Sequence, residues 1–141
     1  MPTGEWPMHW PPLLRRLHAA RGSDARTAMP RLADLLPFDG LEGIDAAVEL
    51  LRHAIACDAH VVVVGDFDCD GATACAVGVL GLRMLGAKHV SHAVPNRIVH
   101  GYGLTPGLVD ELAALQPDLL VTVDHGIACH AGIQAAKVRG W

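Results

Sequence analysis

Three carboxylates stand at alternate positions in Gly65-Asp66-Phe67-Asp68-Cys69-Asp70-Gly71, directly after a run of four valines. If the chain stays extended past the valines, alternation turns all three acids to one side. Like charges held so close repel strongly, so three ionised Asp are stable together only when protons or a cation neutralise them. Oxygen-only donors select a hard divalent ion: Mg²⁺, Mn²⁺ or Ca²⁺. Asp124 follows a second apolar run, residues 119–123, and adds a fourth carboxylate if the two runs are neighbouring strands.

Other readings of this acidic stretch fail at named residues. An EF-hand calcium loop needs an acid at its twelfth position, here Val77, and a helix rather than a strand before it. A phosphatase of the haloacid-dehalogenase type, with Asp68 as nucleophile, requires Thr where Ala72 stands. A solvated acidic turn capping a helix explains one Asp but not three.

A second stretch, PNRIVHGYGL at residues 95–104, is a loop with ligand-binding chemistry. Arg97 offers a planar fork for phosphate, Gly101 and Gly103 let backbone N–H groups approach a ligand, and Tyr102 can stack on a base or fill space beneath the loop. Among nine histidines, His125 beside Asp124 is the one placed to assist the acids. Alternation turns Cys69 away from the carboxylates, into packing.

These side chains need a frame, and periodicity supplies one. Residues 1–12 hold Pro2, Pro7, Pro11, Pro12 and two of the three tryptophans without periodic pattern, an irregular arm. Leu13, Leu14 and Leu17 predict a short helix that Gly22 stops. Residues 31–36 give a further turn or two before Pro37, and Phe38-Asp39-Gly40 is a turn. Ile44, Ala47, Val48, Leu51 and Ile55 repeat every three or four residues, an amphipathic helix over 43–57. Residues 61–64 are β-branched throughout, as in a strand of a parallel sheet buried on both faces. A helix over 71–85, a strand over 89–94, a helix capped by Thr105 with Pro106 at its first position, a strand over 119–123 and a helix over 128–139 follow. The fold class is therefore α/β, an open parallel sheet covered by helices over 43–141, preceded by a short helical segment over 1–42.

Composition narrows the functional classes. A chain of 141 residues, 51% hydrophobic and 18% charged, has room for one domain and apolar surface enough to fold, which excludes a disordered tail. The longest uncharged apolar stretch, residues 71–82, falls short of the roughly 20 residues of a membrane span. Glu5 and several prolines stand where a signal peptide would carry a basic end and an apolar run, so no export is expected. Four cysteines without C-x-x-C spacing read as free thiols in a reducing compartment, the cytoplasm. A net charge of −4 means that a nucleic-acid partner must be held by a local basic patch or through a metal.

Taken in order, VVVVGDFDCDGAT, VPNRIVHGYGL and LLVTVDHGI resemble the first three motifs of the RecJ exonucleases, of the DHH phosphoesterase superfamily. WPPLLRRLHAARG and LADLLPFDGLEGIDAAVELL extend the resemblance upstream over nearly the whole chain. It implies that residues 43–141 are the amino-terminal part of a DHH domain, within a 5′ to 3′ exonuclease of DNA repair and recombination. Such an enzyme degrades single-stranded DNA with two Mn²⁺ or Mg²⁺ ions, which activate water and stabilise the leaving oxygen. A single-stranded-DNA-binding protein or a helicase would be its protein partners. Carried over by residue, the metal ligands fall on Asp66, Asp68, Asp70 and Asp124, with Asp68, Asp70 and Asp124 the catalytic acids. Arg97, Gly101, Tyr102 and Gly103 would line the nucleic-acid path.

Cys69 and Ala74 depart slightly from the first motif, and His125 stands where the third motif usually has Asn, which alters a hydrogen bond beside the metal or adds a ligand. The paired histidines, the later acidic ligand and the carboxy-terminal nucleic-acid-binding domains are absent from these residues. The chain is therefore expected to be a fragment that binds metal weakly and does not cleave DNA by itself. Two alternatives stay open: a phosphoesterase of the same superfamily acting on oligonucleotides or cyclic dinucleotides, and a non-catalytic truncated module with an exposed sheet edge.

Overall fold

Four consecutive valines, Val61–Val64, are fully buried in the computed structural model, which describes residues 6–29 and 31–141. They form β1, the central strand of a three-stranded parallel sheet. Val90–Ala93 (β2) pairs with one edge, setting Val61 opposite Val90, and Leu119–Thr122 (β3) pairs with the other, setting Val61 opposite Leu119. Contiguous branched residues suit such a strand because both of its faces are covered. Burying each valine contributes about 1.5–3 kcal/mol.

The two faces carry different helices. Val61 and Val63 pack with Ala54 of α2 (Ile44–Ala56) and with Cys75 and Leu82 of α3 (Cys69–Met84). Val62 and Val64 pack with Leu108, Val109 and Leu112 of α4 (Pro106–Leu112) and Ala136 of α5 (His130–Val138). The chain steps from β1 to β2 through α3, then back across β1 to β3 through α4, and the reversed direction sends the two crossover helices to opposite faces. The carboxyl ends of β1 and β3 consequently sit side by side, while the helices that follow them leave to opposite faces. A crevice at such a reversal is where open α/β sheets place their ligands.

The expected α/β order is present, with differences at element ends. α3 opens at Cys69 rather than at Gly71, because Asp68 accepts the Gly71 N–H at 3.2 Å and acts as the N-cap. The last helix is shorter at its start, opening at His130. Thr105 caps α4 as expected, accepting the Leu108 N–H at 3.3 Å, with Pro106 at the first position.

Compact units divide the chain at Ile44, as Met1–Ile44 and Asp45–Trp141. In the first, Pro12–Ala20 forms α1 and Gly22, at φ +73°, ends it. Of the expected irregular arm, residues 1–5 lie outside the described residues. Trp6 and Trp10 gather around His18 with ring centroids 5.3–5.9 Å apart, and Arg15 donates to the Trp10 and Met8 carbonyls. The helix expected over 31–36 is a single 3₁₀ turn, Leu32–Asp34, because Asp34 folds back to accept the Arg31 N–H at 3.0 Å and Pro37 disfavours helical geometry at Leu36. Among the described residues, no helix is long and apolar enough to cross a membrane.

Candidate metal centre beside a basic loop

The acidic stretch leaves β1 and turns at once into α3, so its carboxylates do not stay on one extended face. Asp66 follows the strand inward and is 1% exposed, with Oδ1 buried and without a hydrogen-bond partner. Asp68 is the N-cap and Asp70 lies in the first turn of α3, both exposed. Gly71 makes this turn possible: a Cβ there would lie 2.5 Å from the Asp66 carbonyl oxygen and 2.6 Å from its nitrogen. Cys69, expected to pack inward, is exposed at the head of the helix, since alternation ends where the helix begins.

Asp124 arrives from the end of β3 with φ +65°, a left-handed conformation that Asp tolerates better than most residues. One carboxylate oxygen each from Asp68, Asp70 and Asp124 lie within 4.8 Å of one another. Asp66 is not part of this close group. Three hard oxygen donors converging at that distance suit a divalent cation, and the unpartnered Oδ1 of Asp66 close by is a further donor that protein groups leave unsatisfied.

The charges act on one another. The Asp68 carboxyl is held below its ordinary range, first by the Gly71 N–H, then by hydrogen bonding with Asp70, with Arg97 adding its positive charge. Asp124 is pushed up, first by loss of solvent and then by the charges of Asp70, Asp68 and Asp66. The phenol of Tyr102 is pushed up by desolvation and then by the charges of Asp66, Asp124 and Asp68. A cation among these groups would offset the carboxylate repulsion that adds to the upward shifts of Asp124 and Tyr102.

The loop over 95–104 lies against the acids. Arg97 sits over the Phe67 ring, 4.3 Å from its centroid, and Tyr102 meets the edge of Phe67 at 6.4 Å. Tyr102 also donates its hydroxyl to the Asp124 carbonyl at 3.1 Å, which ties the loop to the residue carrying the strained φ. Gly101 has φ +75° and open space around it. Gly103 has φ +71°, and a Cβ there would lie 2.7 Å from the Cys129 Sγ. His125 meets Tyr102 edge-on at 6.4 Å and places Nδ1 3.9 Å from the Cys129 Sγ, while its Nε2 is buried without a partner. Phe67 and Cys129 are the residues that motif reading passed over. Phe67 sits between two acids, and alternation alone would have sent it to the far face.

The model of the DHH family, N-terminal domain, matches residues 60–141, which take in β1, β3 and every residue of this acidic group. The chain belongs to the DHH family. The single-stranded-DNA-specific exonuclease RecJ of Salmonella typhimurium is 50% identical over 139 residues, covering 98% of this chain and 24% of the relative. The Escherichia coli RecJ is 45% identical over 139 residues, again 98% and 24%. Among solved structures, an exonuclease RecJ bound to manganese superposes with a TM-score of 0.64 at 38% identity, covering 74% of this chain and 26% of that one. RecJ from Thermus thermophilus in complex with Mn²⁺ gives 0.59 at 34% identity, covering 87% and 17%. This DHH-family chain thus spans about a quarter of the length of the curated relatives it matches.

Proposed function

We propose that the chain is the amino-terminal part of a metal-dependent 5′ to 3′ exonuclease acting on single-stranded DNA in repair and recombination, in the cytoplasm. The observation that carries this reading is the convergence of Asp68, Asp70 and Asp124 at the junction of β1 and β3, in a chain similar to RecJ along nearly all its length. In this reading Asp68, Asp70 and Asp124 hold a Mn²⁺ or Mg²⁺ ion, with the buried Oδ1 of Asp66 completing the acidic wall. In a two-metal centre such ions supply a water nucleophile and stabilise the leaving oxygen of a phosphodiester.

The chain's own side chains do the remaining work. Asp68, kept ionised by the Gly71 N–H and by Asp70, stays available as a donor. Arg97, braced on Phe67, presents the positive charge that a chain of net charge −4 needs where a phosphate must approach carboxylates. Tyr102 holds the Asp124 backbone and keeps the basic loop and the acids in one geometry. Three close carboxylates suit one cation rather than two, so the 141 residues alone are expected to bind metal without releasing nucleotides.

A chimera tests the reading: this chain replaces the corresponding quarter of the Salmonella relative, and release of 5′ nucleotides from single-stranded DNA is followed with Mn²⁺. Metal-dependent release that Asp124→Asn removes is the expected result. A folded chimera that binds Mn²⁺ and releases nothing would overturn it.

A further inference from the structure

We propose that His100 is a positioning residue, its neutral ring locking the basic loop to α4 and thereby setting where Arg97 stands beside the acids. The functional part of this inference rests on the nucleic-acid reading above; the lock itself does not. His100 is 6% exposed in its side chain and is used at both ring nitrogens. Nδ1 accepts the Asn96 N–H at 3.0 Å, so that nitrogen carries no proton. The proton therefore sits on Nε2, which donates to Glu111 Oε1 at 2.8 Å. Asn96 is the hub of the turn: its Oδ1 accepts the Ile98 N–H at 2.9 Å and the Val99 N–H at 3.4 Å, and its carbonyl accepts the His100 N–H at 2.8 Å. Arg97 is the residue that this turn carries.

Protonation acts against the lock. A proton added at Nδ1 would face the Asn96 N–H, setting two donors against each other. Glu111 is the ionisable group that α4 turns to the ring and would keep holding Nε2, whereas Gly107 of the same helix meets it without charge. Arg97, on the same loop, holds its guanidinium over the Phe67 ring, where its charge acts on Asp68. The ring stays with Glu111 and the turn gives way. An unperturbed histidine changes charge between about pH 5 and 8, which sets the range over which the lock is tested.

The sign of the effect separates this lock from simple electrostatics. An extra positive charge near a phosphate path should strengthen DNA binding as pH falls, while a released Arg97 should weaken it. The test uses the full 141-residue chain with saturating Mn²⁺ and an oligothymidylate, between about pH 8 and about pH 5.5. Affinity is expected to fall about two- to tenfold on acidification, the range for losing one hydrogen bond. His100→Gln, whose amide can accept from Asn96 and donate to Glu111, should keep the affinity of the higher pH and lose the pH step. His100→Leu should be weak at both. Ring ¹⁵N shifts and the Asn96 amide, read without DNA, should report an unprotonated Nδ1 and titrate together. A neutral ring protonated at Nδ1, an Asn96 amide indifferent to His100, or an affinity that rises on acidification would overturn the lock. Absence of DNA binding at either pH, with the NMR coupling intact, would overturn the nucleic-acid reading and leave the lock standing.

Discussion

Asp68 combines two roles that one substitution separates. It caps α3 through the Gly71 N–H and stands in the close acidic group, and Asn caps a helix as well as Asp does. Asp68→Asn should therefore keep the cap, lower the thermal midpoint of the metal-free chain at most slightly through loss of the charge that the Gly71 N–H and Arg97 favour, and abolish stabilisation by Mn²⁺. Asp124 makes the same point through its charge. Its carboxyl is raised in the fold, so the folded state binds that proton more tightly than the unfolded chain, and above the ordinary carboxyl range its ionised form weakens the fold. Asp124→Asn is accordingly expected to raise the metal-free midpoint at neutral pH and to remove the response to Mn²⁺, both read by differential scanning fluorimetry. Asp24, in the first unit, has the opposite sign. Its carboxyl is lowered, chiefly by the Thr27 N–H it accepts at 2.7 Å, so its stabilisation is full above 3.8 and lost as pH falls through its folded value. An NMR titration of Asp24 should show a midpoint below 3.8 that Thr27→Val raises, since the valine keeps the N–H and removes the hydroxyl. The spacing of the acids was legible in sequence, because D-x-D-x-D after a valine run leaves few other uses. The inward turn of Asp66 and the left-handed backbone at Asp124 were not, since both depend on where the chain leaves strand geometry.

Elements were legible where composition is uniform. Val61–Val64 suit a strand covered on both faces and Thr105-Pro106 the opening of a helix, and β1 and the start of α4 stand where expected. The start of α3 was ambiguous because Asp68 and Asp70 are both capping residues, and tertiary contact decided between them. Gly71 shows how tight that contact is. A Cβ 2.5 Å from the Asp66 carbonyl oxygen meets backbone rather than a flexible side chain, so either the helix or the strand exit must shift. Gly71→Ala should destabilise the chain by about 1–3 kcal/mol, read as a lower urea midpoint, and should weaken Mn²⁺ binding in the same protein. An unchanged midpoint would mean that α3 starts elsewhere in solution.

At the scale of the whole molecule, the two units differ in what holds them. No described residue of the first is fully buried, whereas the second has valines buried on both faces of its sheet. Hydrogen exchange should be slowest at the amides of β1 and fastest over residues 6–29 and 31–44, apart from α1, and equal protection over the described residues would contradict this. The second unit is also what brings Asp124 to Asp68 and Asp70, far apart in sequence, through a sheet in which β3 lies beside β1. Calorimetric titration of the 141-residue chain with Mn²⁺ reads that juxtaposition. One saturable site is expected in the wild type, competed by Mg²⁺ and lost equally in Asp70→Asn and Asp124→Asn. A site that survives Asp124→Asn undiminished would mean that the metal belongs to the β1 exit alone and that β3 contributes no ligand.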